Sequence, residues 1–154
     1  METKMIEIKA GITAVMYAAA AMLGWKGILA VIWVAAMVLD YISGTAAACK
    51  AKEWDSQAAR DGIWHKGGMI LVVMVAAMAD VMVSVAFQQI PEIGLEWNGA
   101  VMPVVLAWYI LTETGSILEN AEKMGAPVPS WLQRMLKQSV KNVDKKISPD
   151  VENE

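Results

Sequence analysis

The chain has 154 residues, of which 56% are hydrophobic, and a mean hydropathy of +0.41, too apolar for a water-soluble domain, whose apolar share normally stays below half. The net charge of −3 carries little meaning as a sum, because the charges are confined to particular segments. A single cysteine, Cys49, excludes an intramolecular disulfide and a cysteine-based metal site within one chain.

One Phe set against abundant Ala, Met, Val and Trp points to helices and away from the alternating pattern of a membrane barrel. The expected fold is all-α: a polytopic membrane protein of three to four transmembrane helices followed by a C-terminal amphipathic helix. In chain order, the first apolar stretch covers residues 10–39 and is interrupted only by Lys26, within Gly24-Trp25-Lys26-Gly27. A straight helix of that length is about 45 Å long against roughly 30 Å for a hydrocarbon core, so one span fits poorly. Two helices joined at the glycines as a hairpin, 10–23 and 28–48, fit better, the first short for a crossing and the second taking Asp40 into the membrane. A cleavable signal peptide is the weaker reading of the N-terminus. Lys4 and Lys9 precede small residues there, but Glu2 and Glu7 dilute the basic region.

Residues 49–66 are polar and read as a loop outside the bilayer, in which Asp55 or Ser56 caps a short surface helix. Residues 67–87, with Asp80 as their one charge, form the cleanest span. Pro91 and Gly94 interrupt helix in the connector that follows. A last span over 97–114 takes in Glu113, with Pro103 expected to kink it. The transmembrane domain is therefore expected over 1–118 and a cytoplasmic tail over 119–154. In the tail, Gly125, Pro127 and Pro129 stop one helix and Ser130 starts another over about 130–146. That helix sets Leu132, Met135, Leu136, Val140 and Val143 on one face against Arg134, Lys137, Lys141 and Lys145. Two placements fit it, flat on anionic cytoplasmic lipid or packed tail to tail in an oligomer. Beyond Ile147 the chain is acidic and expected to be disordered.

The basic residues orient this layout. With four spans and both termini cytoplasmic, twelve Lys and Arg residues lie inside and one outside; with three spans, ten lie inside and about two outside. Both layouts put the 49–66 loop and the tail in the cytoplasm. Trp25, Trp54, Trp64, Trp97 and Trp131 fall at interfaces, where an indole favours the headgroup level, and Trp33 and Trp108 read as packing residues.

Nothing in the sequence reads as an enzyme. It has one histidine, His65, no phosphate-binding glycine loop and no carboxylate pair at metal-ligand spacing, so neither cofactor nor metal is expected. The informative residues are the acids at membrane depth. An ionised carboxylate in hydrocarbon costs at least about 2.5 kcal/mol, so Asp40, Asp80 and Glu113 should face other helices, water or a cation. On a helix, Asp40 shares a face with Ala36, Ser43, Gly44 and Ala47, and Asp80 with Ala76, Ala77 and Ser84. Such small, polar faces let helices approach closely. They serve either as hydrogen-bonded packing or as the lining of a water-filled oligomeric lesion, with partner copies supplying the company that the acids need.

Two blocks carry a family resemblance. The first is Leu39-Asp40-Tyr41-Ile42-Ser43-Gly44-Thr45-Ala46-Ala47-Ala48, followed by Ser56, Gly62, Lys66 and Asp80. The second runs from Glu113 through Ser116, Glu119 and Asn120 to Gly125, Pro127, Pro129 and Leu132. Together they resemble the toxin-secretion and phage-lysis holins of Gram-positive phages and clostridial relatives, with His65 where an arginine is common. The resemblance implies a homo-oligomer in the bacterial cytoplasmic membrane that opens lesions for a cell-wall hydrolase or toxin. Its partners would be itself, the lipid bilayer and that cargo, with no nucleic acid. A small ion- or proton-conducting subunit is the competing expectation, and a non-conducting scaffold a third.

Overall fold

A computed structural model describes residues 2–90 and 97–147 of the chain. They form five helices: α1 (Glu2–Leu23), α2 (Trp25–Ala51), α3 (Ser56–Gln89), α4 (Val101–Lys123) and α5 (Ser130–Ile147). Pro91 and Gly94 of the connector, and the acidic end beyond Ile147, lie outside the described residues.

The expected break between the first two helices falls at Gly24, whose φ of 62° and ψ of −148° belong to a backbone region that a Cβ makes costly. The polar segment 49–66 is mostly helix, contrary to expectation. Only the residues around Lys52 to Asp55 are non-helical, and α3 starts at once, the Asp55 carboxylate accepting from the Gln57 N–H at 2.9 Å. The capped surface helix and the span are one element because no proline falls between Ser56 and Gln89. At 34 residues it is about 50 Å long and exceeds a bilayer core.

The last span also differs from its expected bounds. It starts at Val101 and not at Trp97, since Gly99 at φ 68° turns the chain ahead of it. Pro103 lies in the first turn, where its missing N–H has no intrahelical partner to lose, and so it is tolerated there without a kink. The helix runs on to Lys123, well past residue 114.

α4 is the central element: it packs along α2 and also against α3 and α5, while α2 and α3 touch little and, among the described residues, α1 contacts α2 alone. Trp33 and Met37 of α2, Met69 and Val73 of α3 and Leu106 of α4 form the core, with Trp33 stacked on Tyr109 at 6.0 Å. On α3 the buried residues Met69, Val73, Ala76 and Asp80 recur at helical spacing, while Leu71, Val75, Met78 and Met82 are exposed on the other side. That outer surface is apolar. A helix greasy outside with its carboxylate turned inward is ordered for lipid and not for water. Among the described residues, α2, α3 and α4 are each long and apolar enough to cross a membrane.

α5 folds back antiparallel to α4. Gln133 Nε2 donates to Glu122 Oε2 at 2.9 Å, Lys137 lies 3.6 Å from Glu119, and Trp108 Nε1 donates to Asp144 Oδ1 at 2.8 Å. Its apolar face, with Leu136 buried, packs on the chain's own α4. That differs from both expected placements, because α4 offers an apolar flank within reach of the short 124–129 turn.

Candidate functional site

Three helices each contribute one charged side chain to a single cluster. Lys66 of α3 donates to Asp40 Oδ2 of α2 at 2.8 Å and to Glu113 Oε2 of α4. All three are largely buried, Glu113 being 4% exposed. Asn120 of α4 completes the group, donating to Asp40 Oδ1 at 3.3 Å and to Ser43 Oγ at 3.1 Å, while Ser43 donates to the Asp40 carbonyl at 3.0 Å. Asp40, Lys66 and Glu113 each lie about ten residues, or roughly 15 Å, inside the same end of the bundle. Two carboxylates against one ammonium leave a formal excess of one negative charge, which Asn120 and Ser43 offset only in part as dipoles.

Asp80 anchors the other end. Its Oδ1 accepts from Val101 N at 2.9 Å and Trp97 Nε1 at 3.1 Å, and its Oδ2 from Met102 N at 2.9 Å. This carboxylate caps the first turn of α4, where unpaired N–H groups and the helix dipole favour an anion. Gly99 lies against it at φ 68°, a backbone conformation that strains any side chain; a Cβ there would lie 3.4 Å from the Asp80 carboxyl and displace only the flexible end of Lys26. Lys26 in turn donates to the Asn98 carbonyl at 2.7 Å. Lys66 and Asp80 are fourteen residues apart on one helix, about 21 Å, with the apolar core between them.

A cavity opens beside each cluster. One of about 390 Å³ reaches Asp40, Lys66 and Asn120 past Tyr41 and His65; one of about 280 Å³ adjoins Lys26, Asp80, Ser84 and Trp97. Between them, among the described residues, the Trp33 indole N–H is buried with no hydrogen-bond partner.

The residues expected to form one face thus divide. Asp40, Ser43, Gly44 and Glu113 meet at one cluster, Gly44 packing near Asn120 and Ala47 buried a turn further along α2. Asp80 and Ser84 lie at the other. Of the two expected roles for these acids, the chain displays the hydrogen-bonded packing, since Asp40, Asp80 and Glu113 find donors within their own chain. Of the second motif, Asn120 joins the cluster, Ser116 lines its cavity and Glu119 faces Lys137. Gly125, at φ 90°, closes α4: Ala126 N donates to Ala121 O at 3.0 Å and Gly125 N to Glu122 O at 2.8 Å, a left-handed cap. Pro127 and Pro129 follow in the turn before α5, and Lys50 of α2 donates to the Met124 carbonyl, a cation at a helix C-terminus. Arg134, Lys137 and Lys141 are exposed on α5.

Lys66, Lys26 and Lys50 were missed as site residues. The signal for Lys66 was available, since an acid held at membrane depth calls for a cation and Lys66 opens the adjoining span.

Long apolar helices, a greasy exterior and charges paired inside define a multi-pass helical membrane protein. The model of the bacteriophage holin family matches residues 17–141, and the chain belongs to that family. It is similar to an uncharacterised protein of Clostridium perfringens strain 13, 36% identical over 102 residues that cover 65% of this chain and 66% of the relative. An uncharacterised 14.9 kDa protein from the nagH 3′ region of the same species is 35% identical over 102 residues, covering 65% and 67%. An uncharacterised protein of Halalkalibacterium halodurans is 33% identical over 100 residues, covering 65% and 69%. The chain thus spans about two thirds of the length of these relatives. No solved structure matches it.

Proposed function

We propose that the protein is a holin that accumulates in the bacterial cytoplasmic membrane, oligomerises, and at a set time opens lesions that release a cell-wall hydrolase or a toxin. The observation that carries this reading is the cluster of Asp40, Lys66 and Glu113, one charge from each of three apolar helices. While paired, these groups let a protomer reside in lipid at tolerable cost. Once neighbouring protomers crowd, the same groups can turn to water between subunits and form the wall of a lesion. The membrane field biases the step: a charge carried fully across changes energy by about 2.3 kcal/mol per 100 mV, so collapse of the potential tips a closely balanced assembly. The Lys and Arg excess of the 49–66 segment and the tail supports a cytoplasmic side for both.

The cavities at the two ends of the apolar core favour one alternative, a small ion- or proton-conducting subunit whose path runs through each protomer. Expression in bacteria with a co-expressed muralytic enzyme separates the two. A holin kills abruptly and releases the enzyme. Solute or proton flux without release of protein assigns the conducting subunit, and neither effect leaves a scaffold.

A further inference from the structure

We propose that the groove between α4 and α5 is a binding site for an anionic phospholipid, with one acyl chain in the groove and the phosphate at Lys137 and Lys141. The groove has a volume of about 420 Å³, and Leu111, Leu118, Leu136 and Val140 make its interior apolar. Gly115 forms part of its floor, and a Cβ there would meet nothing within 4 Å. Both lysines line the rim and are exposed. Lys137 lies 3.6 Å from Glu119, and Lys141 makes no ion pair among the described residues, so the rim carries a net positive charge.

Depth supports the assignment. The contacts of Gln133 with Glu122 and of Asp144 with Trp108 set the register of α5 on α4. Lys137 and Lys141 then lie beside the stretch of α4 from Glu119 to Glu113, level with the charged cluster, and the groove continues to Leu111 on the side of the apolar core. A phosphate at the lysines therefore leaves its acyl chain pointing into hydrocarbon. A second helix is a poor occupant, because a helix about 10 Å across fills roughly this volume with a single turn. The site is independent of lesion formation, and its test reads lipid and not lysis.

The full chain, purified in detergent and stripped of lipid, is mixed with phosphatidylglycerol or phosphatidylcholine and examined by native mass spectrometry. One phosphatidylglycerol per protomer should be retained, about tenfold in preference to phosphatidylcholine. The Lys137→Gln, Lys141→Gln double variant should keep a bound lipid and lose that preference. Gly115→Leu, whose Cβ meets nothing within 4 Å and whose side chain extends into the groove, should lose retention of both lipids at unchanged helicity. Equal retention of the two lipids by the unmodified chain, or undiminished retention by Gly115→Leu, overturns the assignment. So does a change in protomer number on filling the groove, which gives the surface to a second copy.

Discussion

Removing the ammonium of Lys66 leaves Asp40 and Glu113 with no cation between them. Breaking a buried ion pair from one side costs about 3–5 kcal/mol. Lys66→Met should lower the unfolding midpoint in detergent, and the triple variant Lys66→Met, Asp40→Asn, Glu113→Gln should recover most of the loss. Under the holin reading, Lys66→Met also brings lysis forward, because the paired state that restrains the protomer is weakened; delayed onset in a culture-turbidity trace would contradict that. Asp80 acts differently, holding the two backbone N–H groups that open α4. Asp80→Leu should still insert but lose about 2–6 kcal/mol of stability, since each of the two stranded donors costs about 1–3 kcal/mol, and timed leakage should disappear with it. Unchanged lysis timing would remove Asp80 from the mechanism. The three acids were legible as charges in apolar surroundings. Lys66 carried the matching signal, a cation opening the span beside an acid that needs one, but the positive-inside bias already accounts for a lysine at that edge and so masks its pairing.

Among the elements, the break at Gly24 and the continuity of α3 are the features most open to test. A side chain at Gly24 meets no neighbour, so the strain of Gly24→Ala is that of the backbone alone. It should cost about 1–3 kcal/mol. Gly11→Ala, in an open helical position of α1, should instead raise stability by about 0.5–1 kcal/mol. Equal responses at the two glycines, read by thermal unfolding in detergent, would show that the link is not held in the conformation described. The glycine-marked break, the Asp55 cap and the stop at Gly125 to Pro129 could be read from residue chemistry, because each depends on its immediate neighbours. The start of α4 could not, since its cap is supplied by Asp80 from another helix.

For the whole molecule, the single cysteine offers a topology test without mutation. Cys49 is exposed at the end of α2, beside Lys50 and Lys52. A membrane-impermeant maleimide should label it in inverted vesicles and not in intact cells if the 49–66 segment is cytoplasmic. The reverse pattern would invert the layout and send α5 to the outer face.

Composition, the 3.6-residue period and the placement of Lys and Arg were enough to establish an all-α membrane chain, its order of apolar segments and the acids needing partners. These follow from transfer energies and helix geometry, which act locally. Which groups satisfy those acids was decided only by the packing of α2, α3 and α4, which brings Asp40, Lys66, Glu113 and Asn120 together across up to 80 positions of sequence. The docking of α5 on α4 was decided there too. An amphipathic face states that it must be covered, and lipid, a second copy and the chain's own helix satisfy that demand equally well until the turn before α5 brings one of them within reach.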